Sequence, residues 1–394
     1  MERKGFEERY MISYLKMPSE LYAGVGSIEK LSDIVKRDSV KRVLLFTDKG
    51  VRAAGLCDGV ITILEKERVE CRIFDGIAPE PSVYDVDAVI KEAAGVEGDL
   101  VVAVGGGSTM DTAKLSAVLI GAPYTVFDLV NDSSLAQKRM RSVFIPTTCG
   151  TGSEATQNAI VAIPEESSKK GIVNPTLIPD AVILDVDMIA QLPKSIVAAT
   201  GVDALAHCVE CYTSNKATVL SNEYARAGAR LIFSSIEKAY ADPGDLHAKM
   251  NMLLGAFYGG VAITGSGTTA VHALSYPLGG KYHIAHGVSN AILFARVMDF
   301  NRDACVEELA ELCDTINPSG AQNNADEKSR YLVRRIAEIV KNTEIPVSLK
   351  KFGITKEDID FLVTAGSQQQ RLLVNNRKKL SLDDIRMIYE SVIE

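Results

Sequence analysis

In the first half of the chain, short runs of apolar and β-branched residues alternate with longer segments that repeat with the period of a helix. The runs that we predict as strands cover residues 42–47, 71–74, 100–104, 142–146 and 181–184. Helix-period segments such as 26–37 and 83–94 lie between them. The run 100–104 is apolar at every position, as is typical of a central parallel strand. This alternation predicts an α/β domain in which helices cover a parallel sheet.

After about residue 185 the pattern changes, and strand-like runs nearly disappear. Helical periodicity dominates instead in residues 195–214, 219–240, 246–263, 291–301 and 327–342. A chain of 394 residues is long enough to form two hydrophobic cores. We therefore predict an α/β domain over residues 1–187 and an all-helical domain over residues 188–394.

Composition and charge exclude several classes of function. Apolar residues make up 46% of the chain and charged residues 24%, as in ordinary globular proteins. The net charge of −8 and the lack of a basic tract argue against a nucleic-acid partner. No apolar run reaches the roughly 18 residues of a membrane span, so we expect no membrane partner. The N-terminal residues contain no apolar leader core and the seven cysteines are scattered, which predicts a cytoplasmic location.

Cys208 and Cys211 have the spacing of a redox or zinc motif. The sequence contains no second cysteine pair that would complete a zinc site. We therefore predict that both thiols pack inside a helical core, where a free cysteine behaves as a small hydrophobic residue.

A glycine triplet, Gly105, Gly106 and Gly107, directly follows the apolar run 100–104 and is followed by Ser108. A strand that ends in glycines and opens a helix presents bare backbone N–H groups at a positive helix terminus, which suits a pyrophosphate. Glycine permits close approach, and a positive φ at some of these positions is a second expected use. Ser108 can cap the helix or donate to a phosphate oxygen. The alternative interpretation is a tight turn that binds no ligand.

A second polar loop, which contains Thr147 and Thr148, follows the next predicted strand. Two such loops, each after a parallel strand, would lie together along the carboxyl edge of one sheet, where open α/β sheets bind ligands. Asp48 ends the strand 42–47 and could accept hydrogen bonds from an adenosine ribose, which favours NAD over NADP, or could cap a turn. Asp111 and Lys170 complete our set of candidate cofactor-binding residues.

The histidines carry the strongest chemical signal, because four of the five lie in two short segments. Asp203 and His207 are four residues apart in a helical pattern, so they share one helix face. His272 and His286 lie in the later segment, together with His283. Three imidazoles and one carboxylate form a donor set for Fe(II), Zn(II) or a similar ion and leave a formal charge near +1.

Each of these residues also has an interpretation without a metal. Asp203 could be a helix N-cap, and His207 could be a histidine of the hydrophobic core. A histidine on an apolar helix face nevertheless costs desolvation unless its lone pair is used. His283 could line the pocket or face solvent, and His247 is predicted to lie in a surface loop.

Taken together, these segments resemble the iron-dependent (group III) alcohol dehydrogenase family over nearly the whole chain. The matching segments are 105–114, 146–154, 203–207 and 272–286. The resemblance implies a Rossmann-like dinucleotide-binding domain and a helical metal-binding domain, an architecture similar to that of dehydroquinate synthase. It implies Fe(II), with Zn(II) as an alternative, NAD(H) and at least a dimer. It assigns the metal ligands to Asp203, His207, His272 and His286, and a ribose-binding acid to Asp48.

One position departs from the family pattern. Many members carry a second histidine four residues after the first histidine of the last segment, but this chain has Tyr276 there. A proton-relay role therefore does not carry over unchanged, because a tyrosine hydroxyl is a weak base at neutral pH. We count Tyr276, His272 and His286 as candidate catalytic residues.

Within the family, segments 270–287 and 368–377 most resemble 4-hydroxybutyrate dehydrogenases. Arg371, together with Asn375, could bind the remote anion of an acid-bearing aldehyde, although a surface helix end is the alternative interpretation. A sulfonate, as in sulfoacetaldehyde reductases of the same broad family, would need the same kind of site, and a general short-chain alcohol dehydrogenase is also possible. Rivals from other classes are an NAD-binding, metal-dependent lyase on the same architecture and a metallohydrolase with a glycine-rich turn.

Overall fold

A computed structural model describes residues 12–166, 168–317, 320 and 324–393. Contacts between residues divide the chain into two compact units. One comprises Met17–Leu192, and the other comprises the described chain from Pro193 together with residues 12–16. Residues 1–11, on which the expected lack of a leader peptide was based, lie outside the described residues.

The Met17–Leu192 unit is built on a six-stranded parallel sheet. In chain order, the strands of the unit are β1 (Glu20–Ala23), β2 (Arg42–Phe46), β3 (Glu70–Phe74), β4 (Leu100–Gly105), β5 (Arg141–Pro146), β6 (Asn158–Ile163), β7 (Ser168–Val173) and β8 (Ala181–Leu184). The order in the sheet is β1-β8-β5-β4-β2-β3, and every pairing is parallel. All five predicted strands are present, which confirms the parallel α/β fold. The sequence pattern missed β1, β6 and β7.

Helices cover both faces of this sheet. The α-helices of this unit are α1 (Lys30–Arg37), α2 (Lys49–Ala53), α3 (Asp58–Lys66), α4 (Val83–Ala94), α5 (Gly107–Leu119) and α6 (Val126–Asn131). Alternate residues of the central strands enter different apolar clusters: Val102 packs with Val43, whereas Val101 packs with Leu44. Every residue of β4 is buried. Fully burying a Val or Leu side chain contributes about 1.5–3 kcal/mol, so this strand anchors the loop that follows it.

An antiparallel hairpin, formed by β6 and β7, lies outside the main sheet. Ala159 and Val161 of the hairpin belong to the same buried cluster as Leu115 and Val118 of α5. The hairpin therefore packs against the helix that begins at the glycine triplet.

The unit from Pro193 is helical in the part that the structure describes. Its α-helices are α7 (Lys194–Thr213), α8 (Val219–Ala241), α9 (Leu246–Ser266), α10 (Ala270–Tyr282), α11 (His286–Asn301), α12 (Val306–Ile316), α13 (Ala325–Asn342), α14 (Ile359–Ser367), α15 (Gln370–Leu373) and α16 (Leu382–Glu390). The five predicted helices are present, but α11 begins five residues before the predicted start at 291. The all-helical prediction for this part of the fold is confirmed.

Glycines allow α7, α8 and α9 to pack closely. A Cβ on Gly228 of α8 would lie 3.0 Å from the Gly255 carbonyl of α9 and 2.7 Å from Cys208 Sγ of α7. Cys208 and Cys211 are completely buried in this packing, which confirms their interpretation as helix-packing residues. Within the described ranges, no helix combines the length and the apolar character needed to cross a membrane.

Candidate metal centre and glycine-rich loops

The two polar loops predicted for cofactor binding lie side by side at the carboxyl edge of the sheet. β4 and β5 are paired up to Gly105 and Pro146, and Thr147 N–H donates to the Gly105 carbonyl at 3.0 Å. A Cβ on Gly106 would lie 3.4 Å from Thr148 Cγ2, so the backbone of one loop lies against the side chain of the other. The prediction that the two loops lie next to each other is confirmed.

Close approach, and not a left-handed backbone, explains the glycine triplet. A Cβ on Gly107 would lie 2.7 Å from Thr151 Cγ2, and one on Gly105 would lie 2.5 Å from Thr109 Oγ1. Gly105, Gly106 and Gly107 all have φ values outside the positive region, so the expected use of positive φ is wrong for them. Gly106 is the N-cap of α5, and no described side chain caps that terminus. The positive end of α5 therefore begins at the glycine triplet, and pyrophosphate binding there stays a prediction.

The structure shows the hydrogen-bond partners of Ser108 and Asp48, for which the sequence analysis left alternatives. Ser108 does not cap α5, because its hydroxyl oxygen accepts the Glu80 backbone N–H at 3.0 Å. Asp48 caps α2 by accepting Val51 N–H at 2.9 Å, and Thr109 Oγ1 lies 3.5 Å from its other oxygen. The capping interpretation of Asp48 therefore holds, and its carboxylate also lies beside the first turn of α5.

Asp111 ties α5 to its surroundings instead of facing the loops as a free acceptor. Its Oδ1 accepts from Ser153 Oγ at 2.5 Å and from Lys114 Nζ at 3.2 Å, and its Oδ2 accepts the Ile160 backbone N–H at 2.8 Å. The carboxylate is thus engaged on both oxygens, and direct cofactor binding by Asp111 stays a prediction. The same contacts hold the second polar loop and β6 against α5.

Lys170 was also predicted to bind the cofactor, but its ammonium pairs with Glu166 at 2.5 Å on the exposed side of the hairpin. Lys169 lies on the opposite face of β7, since successive strand residues alternate. Its ammonium pairs with Glu80 at 2.8 Å, and the Glu80 N–H donates to Ser108. The structure therefore connects Lys169, and not Lys170, to the start of α5.

Glu154, in the second polar loop, should make stability depend on pH. Burial raises its pKa from 4.5 to about 7, against smaller opposing effects of its backbone N–H and Lys114. The folded protein then binds this proton more tightly than the unfolded chain does, so stability should fall as pH rises from 4.5 to about 7. The loss should reach about 3 kcal/mol and persist above that range.

A Glu154→Gln variant should therefore be more stable than the wild type at pH 8 and nearly equal to it at pH 4.5. Urea unfolding at both pH values measures this difference. Glu29→Gln, which replaces an exposed carboxylate of the same unit, is the control. An equal effect of Glu154→Gln at both pH values would contradict the assignment.

The candidate metal ligands converge in the helical unit. Asp203 and His207 lie on α7, His272 on α10 and His286 at the first position of α11. The Asp203 Oδ1 atom lies 3.8 Å from the Nε2 atom of His207, 3.5 Å from that of His272 and 3.6 Å from that of His286. Ligand atoms that each lie about 2.1 Å from one ion in a tetrahedral arrangement are about 3.4 Å apart. The ligand atoms of Asp203, His207 and His272 lie within 4.8 Å of one another, a spacing that fits a divalent transition-metal ion, and His286 approaches this group beside Asp203.

Burial and electrostatics favour an anionic Asp203 in this cluster. The side chains of Asp203, His207 and His272 are at most 6% exposed, whereas that of His286 is 28% exposed, so the site opens on the His286 side. Burial alone would raise the pKa of Asp203, but the three histidines hold that pKa below its ordinary value. A buried carboxylate that stays ionised is the form that binds a cation.

Two further residues contact the ligands and were missed by the sequence analysis. Asn290, one turn after His286 on α11, donates from Nδ2 to Asp203 Oδ1 at 2.6 Å and lies 3.1 Å from His272 Nε2. Glu210, one turn after His207 on α7, contacts Nδ1 of His272 through Oε2. Helical spacing, i+4 for Asn290 and i+3 for Glu210, is the sequence signal that could have found them.

Acid–base contacts between Glu210 and His272 change both pKa values. Burial lowers the pKa of His272, but Glu210 and Asp203 more than compensate and raise it to about 9. Burial raises the pKa of Glu210, but His272 and Thr269 bring it below its ordinary value. Glu210 and Asp203 thus favour a protonated His272 in the metal-free site, and a metal ion competes with that proton.

Other predicted residues lie nearby or elsewhere. The Tyr276 ring centre lies 6.2 Å from that of His286, so Tyr276 lies close to the open side of the cluster. His283 is exposed and ends α10 with φ 54°. His247 is exposed in the first turn of α9, and not in a loop as predicted.

Arg371 and Asn375, the two residues proposed to bind a remote anion, differ in burial. Asn375 is 4% exposed, and its Nδ2 donates to the Thr268 carbonyl at 3.0 Å, just before α10. This bond fastens the C-terminal segment to the start of α10, and the contact of Asn375 with substrate stays a prediction. Arg371 is exposed on α15, next to Leu372, which packs against Tyr276.

Family models match both parts of the chain. Residues 18–186 match the model described as iron-containing alcohol dehydrogenase, and residues 197–393 match the C-terminal model of the Fe-containing alcohol dehydrogenase family. These matches cover the glycine-rich loops and the four candidate metal ligands, respectively.

Individual proteins show the same similarity. Long-chain-alcohol dehydrogenase 1 of Geobacillus thermodenitrificans is 35% identical over 383 residues, which cover 96% of each chain. The crystal structure of a 1,3-propanediol oxidoreductase has a TM-score of 0.92 and 26% identity, covering 97% of this chain and all of that one. Sulfoacetaldehyde reductase from Bifidobacterium kashiwanohense, solved in complex with NAD+, has a TM-score of 0.87 and 25% identity, covering 97% of this chain and 99% of that one.

Proposed function

The chain belongs to the iron-containing alcohol dehydrogenase family, and we propose that it interconverts a small primary alcohol and its aldehyde with NAD(H) at one divalent metal ion. The observation that carries this proposal is the convergence of three imidazole Nε2 atoms on one buried carboxylate oxygen. The ligands in this proposal are Asp203, His207, His272 and His286. Fe(II) is the proposed ion, and Zn(II) fits the same donors.

An ion held by these side chains supplies Lewis acidity, which polarises an aldehyde carbonyl or lowers the pKa of an alcohol. The protein holds the donors in place by burial: Asp203 and His272 are nearly inaccessible, and Asn290 donates to Asp203. The more exposed His286 marks the side from which a substrate can approach. Tyr276 lies on that side, and we propose that its hydroxyl orients the reacting oxygen through a hydrogen bond.

The nicotinamide cofactor carries the hydride, so the α/β unit has to bind a dinucleotide. The N-terminus of α5 at Gly106 and Gly107 offers N–H groups to a pyrophosphate, and Thr147 and Thr148 line the neighbouring loop. Asp48 is the proposed ribose acceptor, and its negative charge would repel a 2′-phosphate, which favours NAD over NADP. The similarity to a reductase solved with NAD+ supports this choice.

The finer identity of the substrate depends on Arg371. An acid-bearing pair such as 4-hydroxybutyrate and succinic semialdehyde, or a sulfonate such as sulfoacetaldehyde, requires a cation for the remote anion, and Arg371 is our candidate. An uncharged alcohol is the second candidate. It is favoured by the apolar surroundings of Tyr276, which packs with Ala273 and Leu372.

A substrate panel with NADH and added Fe(II) tests the proposal. Succinic semialdehyde, sulfoacetaldehyde and butanal should be compared in the wild type and in Arg371→Gln. Loss of a charged hydrogen bond costs about 1.5–3 kcal/mol, so the variant should raise KM at least about tenfold for the acids and leave butanal unchanged. Equal parameters for all three substrates would favour the uncharged class.

The same assay separates the rival classes. A dehydrogenase consumes one NADH for each aldehyde reduced, whereas a lyase that uses NAD catalytically shows no sustained consumption. A metallohydrolase predicts no rise in Tm on addition of NAD, because only a bound ligand stabilises the folded state. Absence of NADH consumption with every aldehyde would contradict the proposed function.

A further inference from the structure

We infer that Glu210 is the positioning residue of the metal centre, which fixes His272 through Nδ1 so that Nε2 is available to the ion. This inference rests on the proposed metal site. It assigns a function to a buried carboxylate that is not itself among the four ligands.

The helix places Glu210 on the ligand face. Asp203, His207 and Glu210 are at positions i, i+4 and i+7 of α7, so their side chains project in one direction. Glu210 is fully buried, and an acid in such a place is retained only when its charge is compensated by donors or cations. The contacts of its two oxygens therefore define its role.

Among the described residues, the hydrogen bonds of the Glu210 carboxylate go to the first turn of α10 and the residue before it. Oε1 accepts from the Thr269 backbone N–H at 3.1 Å, from the Thr269 hydroxyl at 2.6 Å and from the Val271 N–H at 2.8 Å. Oε2 contacts His272 Nδ1. A carboxylate at this position also meets the positive end of the helix dipole. One side chain thus joins α7 to the helix that carries His272.

The contact with Nδ1 determines which nitrogen of His272 binds a metal. An ionised carboxylate only accepts hydrogen bonds, so Nδ1 must carry the proton. The Nε2 atom of the neutral imidazole then keeps its lone pair. This Nε2 atom lies 3.5 Å from Asp203 Oδ1. Glu210 therefore selects the tautomer and ring orientation that a metal ligand needs.

Glu210 also changes the charge of the site. Asp203 alone leaves a formal charge of about +1 on a divalent ion, and a second buried carboxylate, coupled through His272, brings the total near zero. Hydrogen-bonded carboxylates of this kind strengthen the donor imidazole, and their loss typically lowers metal affinity about 10–100-fold.

The competing explanation is that Glu210 only caps α10 and has a purely structural role. Two variants distinguish this role from the positioning of His272. In Glu210→Gln the amide can keep an acceptor toward Thr269 and Val271, but then its NH₂ faces Nδ1 and favours the tautomer protonated on Nε2. Thr269→Val removes a hydrogen bond of the cap without touching His272 and serves as the matched control.

Co(II) and Zn(II) binding to the purified full chain, measured by chelator competition and by the Co(II) absorption spectrum, provides the test. Glu210→Gln should bind about 10–100-fold more weakly with an altered spectrum, while Thr269→Val lowers Tm but keeps affinity and spectrum. Wild-type affinity and spectrum in Glu210→Gln overturn the inference. A wild type that binds neither ion overturns the proposed function instead.

A second measurement keeps the inference testable even when Glu210→Gln does not fold. ¹H–¹⁵N NMR of the Zn(II)-loaded wild type should show a His272 Nδ1–H proton that is protected from exchange, with Nε2 bound to the metal. An unprotonated or metal-bound Nδ1 overturns the inference directly.

Discussion

Replacing His272 by alanine is expected to abolish stoichiometric metal binding and to reduce turnover by a factor of about 10³ or more. His272 is 3% exposed and is surrounded by Asp203, His207, Glu210 and Asn290. Removing it deletes one donor and leaves Glu210 buried opposite a cavity, so affinity should fall steeply. Loss of a Lewis acid costs several kcal/mol of transition-state stabilisation, and each 1.36 kcal/mol corresponds to a factor of ten.

Metal content and NADH binding of this variant separate its effects. The α/β unit should still bind NADH with nearly unchanged Kd, because its loops share no side chain with the cluster. His247→Ala is the matched control, since His247 is exposed on α9 and contacts none of the four ligands in the described structure. Full turnover by metal-free His272→Ala would contradict a metal-dependent mechanism, whatever its effect on Tm.

The sheet and the long helices could be predicted because their periodicity extends over many residues. Elements whose conformation depends on packing against particular neighbours could not be predicted in this way. Strand β1 has only four residues and lies at the sheet edge, and the β6–β7 hairpin packs on α5 outside the sheet. Helix α10 contains Pro277 and two glycines, which have poor helix propensity, yet its first ten residues are buried. Tertiary contacts decide its conformation.

The same distinction applies to the candidate site. Asp203 and His207 could be predicted from the sequence because their i, i+4 spacing is local. The glycine triplet could be predicted because it directly follows a strand. The partners of Asp111 and Asn375 depend on contacts with residues 42 and 107 positions away, respectively, which no local pattern encodes. Asp111 and Asn375, both predicted to contact ligands, each fasten one segment of the chain to another.

Replacing Gly287, the residue after His286, should have the second large effect, on both stability and metal affinity. Gly287 lies at the start of α11, and a Cβ there would be 2.2 Å from the Ala199 carbonyl oxygen of α7. No side-chain rotation relieves a contact with backbone, so α7 and α11 must move apart. Asp203 and His286 lie on these same two helices, and their oxygen and nitrogen atoms, now 3.6 Å apart, would separate with them.

Gly287→Ala should therefore lose roughly 3 kcal/mol of stability, since overpacking of this kind typically costs 1–3 kcal/mol or more. Its Co(II) affinity should fall at least about 100-fold, because useful metal–ligand distances tolerate errors of only about 0.2 Å. Gly59→Ala is the control: it lies in α3, where a Cβ meets only Ile28 Cδ1 at 3.5 Å. Denaturant unfolding and chelator competition measure both quantities. Wild-type metal affinity in Gly287→Ala would show that the ligands tolerate movement of α11, and the close helix contact would then serve stability alone.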